Sequence, residues 1–295
     1  MDRVAIVTDS SANLPPELIR QWDISVVPAL LVFGGKTFHD GLDVTPGELY
    51  RWLRINKRIP TTSAPSIGDF VRVYAALREK AGGIVSIHPP AGLTAIYSTA
   101  VAASQLIDDI PIHVVSYNAA AMGQGFVVLE AARAAAAAQE RGDPAPVAMD
   151  AIVAHAEEVA SRVSLMAAID TLEYLYRGGR IGGAAALLGS ALQIKPIVYI
   201  ANGHVEVLAK PRTKRKATQF MLKQMAGQVN SHRLHAAVLH ADAPEEAEAL
   251  RERIAQEFDC AELYVAEFTP VMGAHTGPGL VGVAFFAEDG SPDAR

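Results

Sequence analysis

The sequence predicts an α/β chain of two domains, a parallel sheet covered by helices followed by an α/β region with a mixed sheet. Three observations carry this. Short apolar runs alternate with segments of helical period through the first half, the pattern of parallel strands joined by crossover helices. In the second half Asn202-Gly203, flanked by apolar runs, signals a tight hairpin among further crossovers, so antiparallel pairs join that sheet. The 295 residues suffice for about two domains. A boundary near residue 160 separates 1–160 from 161–288, and 289–295 reads as a polar tail.

Val4-Ala5-Ile6-Val7 is the first buried-strand run, ended by Thr8-Asp9-Ser10-Ser11, and Pro15-Pro16 opens a helix. The run Val26 to Phe33 carries Pro28 and is expected as one edge strand, returning through Gly34-Gly35 into Lys36-Thr37-Phe38. Thr45-Pro46-Gly47-Glu48 has the form of a capping box, and Ser66 caps the helix of Ile67, Phe70, Val71 and Tyr74. Strands follow at Ile84–Ile87 and Ile112–Val115, with a helix from about Leu93 between them. Met122–Arg141 is a long Ala-rich helix stopped by Gly142-Asp143-Pro144, and Val147–Val163 is the next helix. Beyond it, strands are expected at Leu165–Ile169, Ile197–Ile200, Ala236–Leu239, Leu263–Phe268 and Leu280–Phe286. Leu187 falls in a Gly/Ala-rich helix, Thr213–Ser231 is helical, and Asp242-Ala243-Pro244-Glu245 caps another helix.

Composition narrows the function. A net charge of −6 argues against a chain-wide nucleic-acid footprint. The single cysteine, Cys260, can build neither a disulfide framework nor a cysteine-rich zinc site. Met1-Asp2-Arg3-Val4 runs into a strand without a secretory apolar region, and no apolar run approaches the ~20 residues of a membrane span. The expectation is a cytoplasmic protein with no integral membrane association.

Four segments could carry chemistry. Pro60 to Ser66 packs four hydroxyls into a loop, either as capping chemistry or as a neutral cradle for an oxyanion. Ser86-Ile87-His88-Pro89-Pro90-Ala91-Gly92-Leu93-Thr94 joins a strand to a helix, where strand carboxyl ends and free helix N–H groups receive anions; an ordinary turn is the alternative. It lacks the lysine and glycines of a phosphate loop. In Arg177-Gly178-Gly179-Arg180-Ile181-Gly182-Gly183 the glycines either break a helix or admit another part of the chain beside Arg180, aimed at a carboxylate or phosphate. Gly273 to Gly279 holds His275 in a glycine-rich loop, a hydrogen-bond partner expected to switch near neutral pH. Two clusters weigh less. His39, Asp40 and Asp43 are too local to close a metal site, and no metal is expected. Lys210, Arg212, Lys214, Arg215 and Lys216 form a basic cluster, a solvated face or a docking surface for an acidic partner. The residues show no activated nucleophile; Ser63 or Ser10 with His275 could form a dyad, but no orienting third residue is identifiable.

At these segments the chain resembles the DegV family of bacterial fatty-acid-binding proteins. The motifs are Val7-Thr8-Asp9-Ser10-Ser11-Ala12-Asn13-Leu14-Pro15, Thr62-Ser63-Ala64-Pro65-Ser66, Ser86-Ile87-His88 with Gly92-Leu93-Thr94, Gly178-Gly179-Arg180-Ile181, Lys195-Pro196-Ile197 and Ala274-His275-Thr276-Gly277-Pro278-Gly279. They occur in family order over nearly the whole chain. The resemblance implies a two-domain fold, the N-terminal domain a three-layer one. It implies a long-chain fatty acid in an apolar tunnel and no other cofactor. It also implies a carrier, not an enzyme, that presents the acid to a separate fatty-acid kinase. Thr62 matches the threonine that bonds the carboxylate. Thr94 stands where the family usually has serine, and Arg180 and His275 match the surrounding polar network. Ser63, His88, Gly92 and Ser10 are the supporting groups. The chain departs from the pattern at Pro90-Ala91, where two serines are common, and at Ala95-Ile96, where Gly-Thr is common. The rivals are a dihydroxyacetone-kinase-type subunit handling a small polar ligand, and a serine hydrolase.

Overall fold

The computed structural model describes residues 3–56, 58–187, 194–229 and 232–288. The polar tail 289–295 and the end of the helix expected to reach Ser231 lie outside them. The chain divides into two compact units: the chain through Val44 with Pro60–Ser161, and Thr45–Ile59 with the chain from Arg162 onward. A single cut near residue 160, placed at the end of the helix expected over Val147–Val163, does not anticipate that Thr45–Ile59 belongs to the second unit.

In the first unit, β1 (Val4–Asp9) leads through a short 3-10 turn, Ser10–Ala12, to α1 (Pro16–Gln21) and β2 (Ser25–Val27). β3 (Leu30–Phe33) and β4 (Lys36–His39) form a hairpin whose turn glycines, Gly34 and Gly35, take φ of 58° and 75°. The expected single strand from Val26 to Phe33 is two strands in two sheets. Pro28 has no N–H to give a ladder, and the chain changes sheet there. Skipping Thr45–Ile59, the unit continues with β5 (Thr61–Ser63), α3 (Ile67–Leu77), β6 (Gly83–His88), α4 (Ile96–Ser104), β7 (Ile112–Ser116), α5 (Met122–Arg141) and α6 (Ala145–Arg162), whose last residue begins the second unit.

The main sheet has the order β2-β1-β6-β7 and is parallel throughout. Every residue of β1 and β6 is buried, so both sheet faces are covered there, as parallel strands require. The first two turns of α5 are buried all round, from Met122 to Leu129, and the helix packs on β1. Gly142 ends it in the left-handed conformation, φ 72°. The small sheet β4-β3-β5 is antiparallel and sets Thr62 opposite Leu31.

The second unit contributes α2 (Pro46–Ile55), β8 (Ser164–Ala168), α7 (Glu173–Arg177), a 3-10 segment at Gly182–Leu187, β9 (Ile197–Ala201), β10 (His204–Ala209), α8 (Lys214–Val229), β11 (Leu234–His240), α9 (Pro244–Glu257), β12 (Cys260–Glu267), α10 (Pro270–Thr276) and β13 (Val281–Ala287). Its sheet runs β10-β9-β8-β13-β11-β12, parallel only at β11–β12. The mixed sheet read from the hairpin signal is therefore present, with Asn202 and Gly203 at φ 49° and 74° in the turn. Met221, Leu222 and Met225 of α8 and Leu250 and Ile254 of α9 bury against Ile197, Val238, Val283 and Phe285. Each such side chain contributes about 1.5–3 kcal/mol when buried. α2 packs on α10, where an added Cβ at Gly273 would stand 2.6 Å from the Tyr50 hydroxyl and 2.9 Å from Leu49. Among the described residues no helix is long and apolar enough to cross a membrane.

Candidate functional site

The first unit gathers hydroxyls on two segments. Pro60–Ser66 is not simply a loop: Thr61–Ser63 pairs with β3, whose edge away from β4 is open to it. Thr62 is half-buried on this strand, and Ser63 is exposed, its hydroxyl donating to the Ala64 carbonyl at 3.1 Å. Ser66 caps α3 in a reciprocal box with Asp69. That box, despite some burial of Asp69, holds its carboxyl below the usual range through the Ser66 hydrogen bonds.

The second segment follows β6. The Leu93 N–H donates to the Pro90 carbonyl at 2.9 Å, closing a turn in which Gly92 is exposed. α4 begins at Ile96, later than the expected Leu93, so Thr94 stands one residue before the cap, half-buried. The cap residue, Ala95, has no side-chain oxygen, and the first N–H groups of this nine-residue helix remain available to an acceptor.

His88 and Ser10 are wholly different from exposed loop residues. His88 is fully buried, its Nδ1 2.8 Å from Asp9 Oδ2 and its Nε2 2.7 Å from Ser86 Oγ. Ser10 Oγ accepts the Ala29 N–H at 3.0 Å. Sequence reasoning quoted Asp9, Ser86 and Tyr74 within motifs but gave them no part in a network, and it did not single out Gln124. The available signal was the spacing Ser86-x-His88 within a strand, which puts both side chains on one face.

In the second unit Arg180 follows α7, its Nη1 donating to the Gly178 carbonyl at 2.7 Å. The glycines around it admit other chain: a Cβ on Gly178 would collide with the His275 ring, on Gly182 with the Val205 backbone, and on Gly183 with the Glu206 carboxylate. His275 lies on α10, not in a loop, because Pro270 starts a helix that Gly277 (φ 70°) ends. The switch expected near neutral pH is also corrected: burial, aided by the Arg180 charge, lowers the His275 pKa to about 4. His275 is thus a neutral imidazole at pH 7, able to donate one hydrogen bond and accept another.

The basic cluster is not uniform. Lys210, Arg212, Arg215 and Lys216 are exposed. Lys214 is drawn inward to Glu246 at 2.9 Å and Asp170 at 3.6 Å. Burial works against its charge, but these carboxylates offset it and keep its pKa above the ordinary lysine value. It borders a cavity of about 220 Å³ with Asp170, Lys195, Arg215 and Glu246. A second cavity in this unit, about 390 Å³, is lined by Leu53, Ile55, Ile59, Tyr174, Arg54 and Arg177. Asp242 does not cap α9; its carboxylate meets Arg54 at 2.6 Å and Ala243 occupies the cap. His39 and Asp43 pair at 2.6 Å across their turn, where the His39 backbone N–H and then its ring lower the Asp43 pKa.

Fold and side chains together define a class: a two-unit α/β protein with hydroxyls on a small antiparallel strand and beyond a parallel strand in one unit, and an arginine beside a neutral histidine in the other. The chain belongs to the DegV family; the family model described as "Uncharacterised protein, DegV family" matches residues 3–288. A DegV domain-containing protein of Streptomyces coelicolor is 39% identical over 95% of this chain and 97% of its own length. Protein DegV of Bacillus subtilis is 30% identical over 96% and 98%. Among solved structures, one described as fatty acid binding of a DegV family protein from Thermus thermophilus matches with TM-score 0.89 and 32% identity, covering 97% of this chain and all (100%) of that one. Another, described as DegV, a fatty acid binding protein from Bacillus subtilis, matches with TM-score 0.88 and 30% identity over 98% and 100%.

Proposed function

We propose that this protein binds a long-chain fatty acid in an apolar tunnel, with the carboxylate held by Thr62, Thr94, Arg180 and His275. It acts as a carrier, not an enzyme, presenting the acid to a separate fatty-acid kinase and then carrying the acyl phosphate. The observation that supports this most is the likeness, over nearly the whole chain, to two solved DegV proteins described as fatty acid binding. The chemistry of the side chains agrees. Each buried methylene contributes about 0.8 kcal/mol, whereas a neutral hydrogen bond nets about 1 kcal/mol. The acyl chain therefore sets affinity, and the polar groups select a carboxylate and keep it ionised. A buried carboxylate without donors would protonate instead. Hydroxyls, one guanidinium and a neutral imidazole meet that need without making the protein broadly basic. The exposed Lys210, Arg212, Arg215 and Lys216 are the docking surface offered to the kinase.

Thr62→Ala and Arg180→Ala test the assignment. Each is expected to weaken palmitate binding by about tenfold while leaving the melting temperature within a few degrees. Transfer of phosphate from ATP to the bound acid by an added fatty-acid kinase falls in parallel. Unchanged affinity and unchanged phosphorylation in both variants contradict it. The neutral His275 also suits engagement of a small carbonyl ligand, as in a dihydroxyacetone-kinase-type subunit; saturable dihydroxyacetone binding without palmitate binding selects that reading.

A further inference from the structure

The carboxyl ends of β1 and β6 hold an unusual concentration of buried polar groups: Thr8, Asp9, Ser10, Ser11, Ser86 and His88. Their hydrogen bonds run in one direction. The Tyr74 hydroxyl donates to Ser86 Oγ at 2.9 Å, Ser86 Oγ meets His88 Nε2 at 2.7 Å, and His88 Nδ1 meets Asp9 Oδ2 at 2.8 Å. Asp9 also accepts from the Ser11 N–H at 3.0 Å and from Gln124 Nε2 at 3.2 Å. Burial pushes the Tyr74 pKa up to about 12, so the phenol stays a donor. Ser86, His88 and Asp9 have the connectivity of a hydrolase triad. Yet all three have no exposed surface, and the serine is engaged by both Tyr74 and His88. No substrate reaches this serine, so nucleophilic chemistry does not explain the array.

What the array touches does explain it. Asp9 is followed by Ser10, whose Oγ accepts the Ala29 N–H; Ala29 precedes β3, and β3 pairs Leu31 with Thr62. His88 is followed by Pro89, whose carbonyl accepts from Ser116 Oγ at 3.0 Å, and by the turn that ends at Thr94. The Asp9–His88 bond thus bridges the roots of the two hydroxyl-bearing segments. We infer that Asp9 and His88 are positioning residues that fix the separation of Thr62 and Thr94 for a fatty-acid head group. This rests on the fatty-acid reading above. A buried pair suits the task because a fully hydrogen-bonded polar network in the interior holds one geometry.

The test compares palmitate with hexadecanol, which has the same chain length and no carboxylate. Asp9→Asn is expected to weaken palmitate binding about tenfold and hexadecanol binding less than about twofold. Thr94→Val, costly on the natural background, adds little to Asp9→Asn, since the two act as a unit. If Asp9→Asn does not fold, Tyr74→Phe carries the test, with a smaller loss confined to palmitate. The positioning role is overturned if the folded variant binds palmitate as the natural chain does. Equal loss of both lipids, or a Thr94→Val effect that simply adds, overturns it too. A natural chain that binds neither lipid instead removes the fatty-acid reading, and this inference with it.

Discussion

His275 shows how burial decides a residue's chemistry. Its folded pKa of about 4 lies below the ordinary histidine value of 6.5, so between those values the unfolded chain binds the extra proton. Stability from this group is fully present above pH 6.5 and is lost as pH falls toward 4. Thermal melts over that window are expected to show a stability loss that His275→Gln flattens; identical pH profiles for both chains contradict it. Gly178 guards the same ring. Gly178→Ala is expected to displace His275 and weaken palmitate binding, because the added methyl overlaps the imidazole and also stands 3.0 Å from the Tyr174 carbonyl oxygen. Arg180 was legible in the sequence through its four glycines. The Asp9–His88–Ser86 network was not, because Asp9 and His88 are 79 positions apart and only the β1–β6 pairing brings them together.

At the level of elements, local chemistry was the most readable part. The capping box at Thr45 and Glu48 has both hydrogen bonds, and the Glu48 carboxyl is held below its usual range by the Thr45 backbone and hydroxyl. Thr45→Ala is expected to lower stability by about 1 kcal/mol, read by denaturant melts; no change contradicts the cap's role. Ser66 was legible for the same reason. Elements set by long-range pairing were harder. Pro28 signalled an edge strand, but not that the chain leaves one sheet for another. Thr61–Ser63 carries only loop-type residues, and its strand exists because β3 lies beside it. The glycines around His275 suggested a loop, whereas Pro270 at the first helical position outweighs them.

For the molecule as a whole, the alternation of strands and helices was enough to read the parallel main sheet of the first unit, and the Asn202-Gly203 hairpin signal the mixed sheet of the second; the antiparallel β4-β3-β5 sheet was legible only in its β3–β4 hairpin. Composition could not reveal that Thr45–Ile59 belongs with the second unit, since nothing in that helix's sequence names the α10 face it packs on. The apolar half of the residues likewise reads as ordinary core; which of them line a ligand depends on packing that no local pattern records. The central claim is that a fatty acid occupies this protein. Mass spectrometry of the organic extract from denatured, purified protein tests it most directly. A long-chain fatty acid in stoichiometric amount, replaceable by added palmitate, is the expected result. A lipid-free protein that takes up no palmitate on addition would contradict it.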